Sequence, residues 1–264
     1  MTPTPTPGSV ALVTGGTGGF GRALAALLRE RDVTVVLADL DGERARSAAA
    51  DLGAPFLPLD VTDRAANAAV VAQVEAEHGR LDAAFLNAGI AGSSRDALDV
   101  DEFLRVLDVD LLGVVYGTEA ALPALRRAGG GSIVVTASLA GLAPVATDPG
   151  YSVAKAGAVA FVRSLAPRLV ADGITLSAVC PGFADTSIID PLRAAFDDAG
   201  FPVLSAAEVA EALAAAWAGA EPGAAYVVQP GVGAVPYAFK GVPAARTATG
   251  ETARLPSSLL PRGD

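Results

Sequence analysis

Short apolar runs alternate along this chain with alanine-rich stretches that have the spacing of helices. The runs are continuously apolar, which is typical of parallel strands that are buried on both faces. The predicted strands are 10–14, 33–39, 55–60, 82–87, 132–137, 174–180 and 224–229, and the predicted helices are 19–31, 42–52, 64–78, 99–127, 151–171 and 205–219. This alternation predicts an α/β fold, a doubly wound parallel sheet of about seven strands with helices on both faces.

No linker divides the 264 residues, so we expect a single domain over residues 9–237. Hydrophobic residues make up 52% of the chain, which is enough for a large core. Residues 1–8 are rich in proline and threonine, and we expect them to be disordered. Residues 238–264 are rich in proline, threonine and serine, and this C-terminal tail is predicted to be loose or to cover an interface.

Composition argues against several classes of function. Asp and Glu number 29 against 19 Lys and Arg, so the chain lacks the basic surface of a nucleic-acid binder and is repelled by anionic membranes. One cysteine, Cys180, and one histidine, His78, are too few for a Cys/His zinc site or an internal disulfide, and we expect no metal. No apolar run reaches the ~18 residues of a membrane span, and no signal segment is seen. We therefore expect a cytoplasmic protein without nucleic-acid or membrane partners.

A glycine-rich loop follows the first predicted strand and opens a helix. It consists of Gly15, Gly16, Thr17, Gly18, Gly19, Phe20 and Gly21. Glycines let a pyrophosphate approach the backbone closely, and the N-terminus of the helix offers free N–H groups. The loop is weak evidence by itself, since a simple turn has the same composition. Its position between a strand and a helix favours a nucleotide site.

Asp39 ends the second predicted strand, 20 residues after Gly19. This is the spacing expected for a carboxylate that binds the adenosine ribose hydroxyls. A carboxylate there repels a 2′-phosphate, and neither Gly18 nor Leu40 is basic. The sequence therefore favours NAD over NADP as cofactor, and an ordinary turn carboxylate is the alternative interpretation.

Tyr151 and Lys155 are four residues apart and project from the same face of a predicted helix. An ammonium beside a phenol stabilises the phenolate, which makes the pair a candidate proton donor and acceptor. Taken alone, this spacing is common and usually marks a solvated helix face.

The order of these motifs resembles that of the short-chain dehydrogenase/reductase family, in its compact single-domain branch with a Rossmann fold. The resemblance covers residues 9–231 and rests on Thr14-Gly15-x-x-x-Gly19-x-Gly21, Asp60-Val61, Asn87-Ala88-Gly89, Ser138, Tyr151-x-x-x-Lys155 and Pro181-Gly182-x-x-x-Thr186. The glycine loop also matches a pattern of longer, sugar-nucleotide-modifying relatives through Gly18. Those relatives carry a larger substrate domain, for which this chain has no room.

The resemblance implies a role for each matching residue. Tyr151 is the general acid/base, Lys155 stabilises its phenolate and holds the nicotinamide ribose, and Ser138 hydrogen-bonds the substrate oxygen. The implied cofactor contacts, besides Tyr151 and Lys155, are Gly15, Thr17, Gly18, Gly19, Phe20, Gly21, Asp39, Leu40, Asp60, Val61, Asn87, Ala88, Gly89, Pro181, Gly182, Phe183 and Thr186. The substrate contacts are Ser138, Leu139, Leu142, Val145 and Tyr151. The apolar character of this wall favours a hydrophobic secondary alcohol or ketone, steroid-like or aliphatic, as substrate.

Asp110 departs from the pattern of the resembled family, in which an asparagine holds a water that links the catalytic lysine to solvent. A carboxylate still orients a water, but it adds negative charge near Lys155 unless burial raises its pKa. We expect an NAD-dependent short-chain alcohol dehydrogenase or ketone reductase with Asp110 among its catalytic residues. The alternative is a catalytically weak dinucleotide-binding sensor or scaffold protein.

The predicted helices 99–127 and 151–171 are apolar around most of their circumference, which indicates burial on two sides. In the resembled family these two helices pair across a two-fold axis, so we expect a homotetramer or homodimer. A monomer in which the C-terminal tail covers the apolar faces is the alternative.

Overall fold

A computed structural model describes residues 5–92, 98–186, 189–190, 193–241, 243–249 and 251–253 of the chain. At its centre is one sheet of eight strands in the order β3-β2-β1-β4-β5-β6-β7-β8. The strands are β1 (Val10–Thr14), β2 (Thr34–Asp39), β3 (Phe56–Pro58), β4 (Ala83–Leu86), β5 (Gly131–Thr136), β6 (Ile174–Pro181), β7 (Ala225–Gln229) and β8 (Gly233–Pro236). The first seven pair in parallel, which confirms the predicted doubly wound fold.

The eighth strand corrects the expected number of about seven. β8 pairs with β7 in the antiparallel direction. Gly231 in the turn and Gly233 at the start of β8 adopt positive φ values of 73° and 74°. All four residues of β8 are exposed. The strand therefore lacks the buried apolar run by which the other seven could be recognised.

Eight α-helices accompany the sheet in the described part of the chain. They are α1 (Gly19–Arg29), α2 (Glu43–Asp51), α3 (Arg64–His78), α4 (Val100–Leu107), α5 (Gly113–Ala128), α6 (Pro149–Leu165), α7 (Arg193–Ala199) and α8 (Ala206–Gly219). Side chains of α3, α5 and α6 cover one face of the sheet, and those of α1, α2 and α8 cover the other. In β1, Val10 and Leu12 belong to the first core and Ala11 and Val13 to the second. Each central strand therefore needs apolar residues on both faces.

The predicted helix 99–127 is divided by a π-helical turn, Asp108–Leu112, between α4 and α5. Turns of this kind widen a helix locally and are frequent at functional sites. Asp110 lies buried within this turn. The predicted helix 151–171 begins earlier and ends earlier, at Leu165, because Pro167 has no N–H to continue the hydrogen-bond ladder and short 3₁₀ turns follow.

The carboxyl ends of the parallel strands meet at one edge of the sheet. β1 and β4 are neighbours there, at the point where the strand order reverses. The chain leaves these two strands toward opposite faces, which opens the crevice where ligands bind in such folds. No helix among the described residues is both long and apolar enough to cross a membrane.

The terminal segments are described only in part, since residues 1–4 and 254–264 lie outside the described residues. The N–H of Gly8 donates a hydrogen bond to the carbonyl of Asp32 at 2.9 Å. In the tail, the Phe239 ring lies under the guanidinium of Arg163 on α6, with 3.6 Å between the guanidinium carbon and the ring centroid. The expectations of a disordered N-terminus and a loose or interface-covering tail stay predictions.

Candidate active site

The glycine-rich loop between β1 and α1 needs glycine where its backbone crosses other backbone. Gly15 has a φ of 61°, and a Cβ there would lie 2.7 Å from Cα of Ala88. A Cβ on Gly21 would overlap the carbonyl oxygen of Gly15. Gly18 and Gly19 are different, because the nearest atoms to an added Cβ lie 3.4 and 3.6 Å away. The outer side of the loop is therefore open.

The N-terminus of α1 is free to hold an anion. Gly18 occupies the N-cap position, no side chain caps the helix, and no acidic residue lies in the first turn. The first N–H groups of a helix have no partner within it, and the helix dipole favours a negative charge there. Thr186, beyond the end of β6, faces this turn: its Cγ2 would lie 3.6 Å from a Cβ on Gly19. The cradle fits the pyrophosphate of a dinucleotide.

Asp39 lies at the end of β2 beside the glycine loop. Its Oδ2 accepts hydrogen bonds from the N–H and the hydroxyl of Thr17, at 3.0 and 2.6 Å, and its Oδ1 accepts one from the N–H of Leu40 at 2.9 Å. An ionised carboxylate has about four acceptor positions, so one remains for a ribose hydroxyl. Leu40 itself is 62% exposed and brings no positive charge to this position.

Asn87 ties three strand ends together below the crevice. Its N–H donates to the hydroxyl of Thr14 at 3.0 Å, and its Nδ2 donates to the carbonyls of Thr14 and Gly15, both at 3.2 Å. The hydroxyl of Thr136 donates to Oδ1 of Asn87 at 3.1 Å. Ala88 also donates its N–H to the Thr14 hydroxyl. The sequence motifs included Thr14 without giving it a role, and Thr136 was missed.

Lys155 and Asp110 form a buried ion pair with 3.0 Å between Nζ and Oδ2, and their side chains are 4% and 0% exposed. Nζ also donates to the carbonyl of Thr136 at 2.9 Å, and Oδ1 of Asp110 accepts the N–H of Ile90 at 2.8 Å. A Cβ on Gly89 would lie 3.1 Å from Oδ2 and 3.2 Å from Nζ. A larger residue than glycine at position 89 would therefore crowd both atoms of the ion pair.

Burial and the charge of the partner have opposite effects on the pKa of Asp110 and on the pKa of Lys155. Burial raises the pKa of Asp110, and the Lys155 ammonium opposes this without reversing it. Burial alone would lower the pKa of Lys155, but the negative charge of Asp110 leads the opposing effects and the net shift is upward. Lys155 therefore keeps its proton at neutral pH. Asp110 thus contacts Lys155 directly, whereas the resembled family implied a residue that holds a water linking the lysine to solvent.

Tyr151 and Ser138, two residues predicted to be catalytic, lie at the same edge of the sheet. Tyr151 lies in the first turn of α6, with its ring centroid 5.5 Å from Nζ of Lys155. Ser138 follows β5, and its Oγ accepts the N–H of Ala140 at 3.1 Å. The hydroxyl proton of Ser138 is thus left to donate to a substrate oxygen.

Asp148 is a residue of this site that the sequence interpretation missed. It is the N-cap of α6: Oδ1 accepts the N–H of Tyr151 at 2.9 Å, and Oδ2 accepts the N–H of Gly92 at 2.7 Å. One carboxylate therefore joins the loop after β4 to the helix that carries Tyr151. An aspartate directly before Pro149 is a recognisable helix-start signal, but nothing in the sequence indicates the bond to Gly92.

The predicted substrate wall lies between Ser138 and α6. Leu139, Leu142 and Val145 are each half-buried. The N–H of Val145 donates to the hydroxyl of Ser152 at 3.0 Å, which ties the wall to the helix. A Cβ on Gly141 would lie 2.6 Å from the carbonyl oxygen of Lys155, so the wall packs closely against α6.

The remaining predicted residues are more dispersed. Pro181 ends β6 and Gly182 follows it. The ring of Phe183 packs against Phe196 and Phe201 at centroid distances of 4.8 and 5.9 Å. Val61 packs against Gly113, where an added Cβ would come within 2.9 Å of its Cγ2. The carboxylate of Asp60 accepts the N–H and hydroxyl of Thr62, at 2.9 and 2.7 Å.

Comparison with known proteins agrees with this geometry. Residues 9–196 match the family model described as short chain dehydrogenase. A cis-4-hydroxycyclohexanecarboxylate dehydrogenase from Sinomonas cyclohexanicum is 40% identical, over 70% of this chain and 77% of that protein. A cyclohexanol dehydrogenase from Acinetobacter sp. (strain SE19) is 36% identical, over 72% of this chain and 77% of that protein. The crystal structure of a 3-ketoacyl-(acyl-carrier-protein) reductase from Brucella melitensis complexed with NADH superposes with a TM-score of 0.79 at 27% identity, covering 85% of this chain and 98% of that one.

Proposed function

Since this chain belongs to the short-chain dehydrogenase/reductase family of oxidoreductases, we propose that it transfers a hydride between NAD(H) and an apolar secondary alcohol or ketone. The observation that carries the proposal is the buried ammonium of Lys155, which lies 5.5 Å from the ring centroid of Tyr151. This arrangement suits proton exchange with a substrate oxygen. A sensor or scaffold without activity has no use for it and is not favoured.

Of the four residues predicted to be catalytic, Tyr151, Lys155 and Ser138 act on the reacting groups, and Asp110 positions Lys155. Tyr151 gives a proton to a carbonyl oxygen in reduction and takes it from a hydroxyl in oxidation. Of the three protons on Nζ of Lys155, one is directed to the carbonyl of Thr136 and a second faces Asp110. The third is available to the phenol or to the ribose of the cofactor. Ser138 donates its hydroxyl proton to the substrate oxygen as negative charge develops there.

The cofactor proposal rests on the crevice between β1 and β4. Backbone N–H groups at the start of α1 would hold the pyrophosphate, and Asp39 would accept a ribose hydroxyl. Asn87, Ala88, Gly89 and Thr186 would line the trough. When bound, the nicotinamide supplies or accepts the hydride. We propose NAD over NADP because Asp39 carries negative charge and the exposed Leu40 offers no cation to a 2′-phosphate.

The substrate proposal rests on the apolar wall of Leu139, Leu142 and Val145. Two relatives named above act, by their names, on alcohols of a six-membered carbon ring. An apolar ring placed against this wall would present its hydroxyl to Ser138 and Tyr151. We propose a small cyclic or aliphatic secondary alcohol, or the matching ketone, as the substrate class.

We further propose that the protein assembles through the outer faces of α4 and α6. Leu104 and Val153 are 50% and 49% exposed in the single chain, and Leu112 in the π turn after α4 is 36% exposed. Burial of such side chains against a second copy removes apolar surface from water. A dimer or tetramer with a two-fold axis through this face is the expected form.

A panel of secondary alcohols tests the proposed function. The purified protein is mixed with each alcohol and either NAD or NADP, and formation of the reduced cofactor is followed by absorbance. We expect turnover of cyclic and aliphatic secondary alcohols, faster with NAD. Binding of NADH without turnover of any alcohol or ketone would instead support the sensor or scaffold.

A further inference from the structure

We propose that the side-chain amide of Gln229 selects substrates that carry a second, neutral polar group, a hydroxyl or a carbonyl, remote from the reacting carbon. The inference rests on the proposed function and names the substrate class more closely. Neither the sequence motifs nor the catalytic residues give Gln229 any role. Three observations support it: where β7 ends, what the amide touches, and what the amide lacks.

Gln229 is placed at the active edge by the strand register. β7 runs parallel to β6, with Val228 opposite Pro181, so Gln229 comes beside Gly182. Ala225 belongs to the core under α6, whereas Tyr226 and Val228 pack with the core on the opposite face. Side chains alternate along a strand, so Gln229 is on the face of α6, the helix of Tyr151 and Lys155.

The amide lies against two residues proposed to line the site. A Cβ added to Gly182 would overlap Oε1 of Gln229, so the amide packs directly on this glycine. The same added Cβ would lie 3.4 Å from Cδ1 of Leu139, which belongs to the apolar substrate wall. Gly182 therefore brings the amide of Gln229 to the border of that wall.

Gln229 is half-buried. Within the described part of the chain, its side-chain amide forms no hydrogen bond. The other glutamine, Gln73, donates to Glu77 at 2.8 Å on the exposed side of α3. A few polar groups in an otherwise apolar pocket are what fixes a ligand's orientation. An uncharged amide both donates and accepts, so it suits a hydroxyl or a carbonyl.

The distance to the catalytic group defines where the second polar group must be. Ser138 follows β5 and Gln229 ends β7, two strands away, which is about 10 Å at the usual strand spacing. A six-membered ring with polar groups on opposite carbons spans such a distance when one group is hydrogen-bonded to Ser138 and the other to Gln229. A substrate whose two polar groups are on neighbouring carbons would not reach both Ser138 and Gln229.

The test compares matched pairs of substrates. We measure kcat/KM per reacting group, which halves the value for the two compounds with two equivalent groups. The pairs are cyclohexanol and cyclohexane-1,4-diol in oxidation, and cyclohexanone and cyclohexane-1,4-dione in reduction. We expect the wild type to prefer the diol and the dione by about tenfold each, the effect of one hydrogen bond of ordinary strength. Gln229→Leu should bring both ratios close to one and change turnover of cyclohexanol and cyclohexanone less than about twofold.

Two further variants make the result specific. Gln229→Glu keeps an acceptor but no donor, so it should retain the preference for the diol and lose the preference for the dione. Gln73→Leu, the matched control, should keep both. Equal use of both members of each pair by the wild type, or ratios unchanged in Gln229→Leu, would overturn the inference and leave the proposed function standing. Failure to turn over any of the four compounds, while aliphatic alcohols of the panel are oxidised, would overturn the inference alone. Failure to turn over any alcohol or ketone of the panel would overturn both.

Discussion

Nζ of Lys155 lies 3.0 Å from Oδ2 of Asp110, and both side chains are almost completely buried. The ammonium that is proposed to act on Tyr151 therefore has its own counter-ion. The N–H of Ile90 and the carbonyl of Thr136 hold the two partners from either side. Such a pair lowers the electric field that the ammonium exerts on other groups, because its two charges oppose each other at a third point.

Asp110→Asn should shift the alkaline limb of the pH dependence of alcohol oxidation to lower pH by about one unit. Burial lowers the pKa of Lys155, and the negative charge of Asp110 leads the effects that raise it above its ordinary value. An amide of the same shape removes that charge, so Lys155 loses its proton at a lower pH and the ammonium beside Tyr151 is lost earlier as the pH rises. The pH–rate profile of kcat/KM is the measurement.

Asp108→Asn, an exposed residue of the same π turn, is the control and should leave the profile unchanged. An upward shift in Asp110→Asn would contradict the argument.

Asp148→Ala should lower both stability and activity. The N-cap of α6 would be lost, at a cost of about 1 kcal/mol, and the Gly92 loop would be released from the helix of Tyr151. We expect kcat to fall about tenfold as the phenol loses its fixed position. Thermal unfolding and steady-state kinetics measure the two effects.

The matched control for this variant is Asp63→Ala. Asp63 caps α3, where one of its oxygens accepts the N–H groups of Ala65 and Ala66, at a place that holds none of the proposed catalytic residues. Asp63→Ala should lower the free energy of unfolding by a similar amount to Asp148→Ala and leave kcat unchanged. If Asp148→Ala behaved in the same way, its role would be that of a helix cap alone.

The sequence predicted those parts of the site that follow from topology. Once β1, β4 and β5 are recognised as parallel strands, Gly15, Asn87 and Ser138 must gather at one edge. The contacts between helices could not be predicted in this way. Asp110 and Lys155 are 45 residues apart, and their pairing depends on a π turn that no helical periodicity reveals.

Other features were missed for similar physical reasons. The bond between Asp148 and Gly92 joins residues 56 positions apart and needs the folded loop. β8 is fully exposed, so its four residues carry no burial pattern that could mark a strand. The substrate side is the least predictable part, because an apolar wall is compatible with many ligands whereas a single amide such as Gln229 can discriminate among them.

Asp39→Ala combined with Leu40→Arg should reverse the cofactor preference. The first change removes the carboxylate that repels a 2′-phosphate, and the second supplies a cation to it at an exposed position. We expect the wild type to bind NADH more tightly than NADPH and the double variant to bind NADPH more tightly, as measured by fluorescence titration. Asp39→Ala alone should lose the preference without reversing it. Tighter binding of NADPH by the wild type would show that the assignment of Asp39 is wrong.

Tyr151→Phe should reduce kcat by at least ~10²-fold, the low end for the loss of a general acid or base. The ring is retained, so NADH affinity and thermal stability should stay close to those of the wild type. Tyr116→Phe, a half-buried tyrosine of α5, is the control and should keep full activity. Turnover by Tyr151→Phe at the wild-type rate would remove Tyr151 from the mechanism.

Val153→Glu should dissociate the proposed assembly. Val153 is 49% exposed on α6 in the single chain, so a glutamate there leaves the monomer fold intact and places a charge in the expected interface. Phe161 would be a poorer choice, because it is half-buried and packs against the core. Light scattering at micromolar concentration should give a multiple of 26.3 kDa for the wild type and 26.3 kDa for the variant.

Val170→Glu, at a similarly exposed valine after α6, should stay assembled. A wild-type particle of 26.3 kDa, or an assembled Val153→Glu, would exclude this face as the interface.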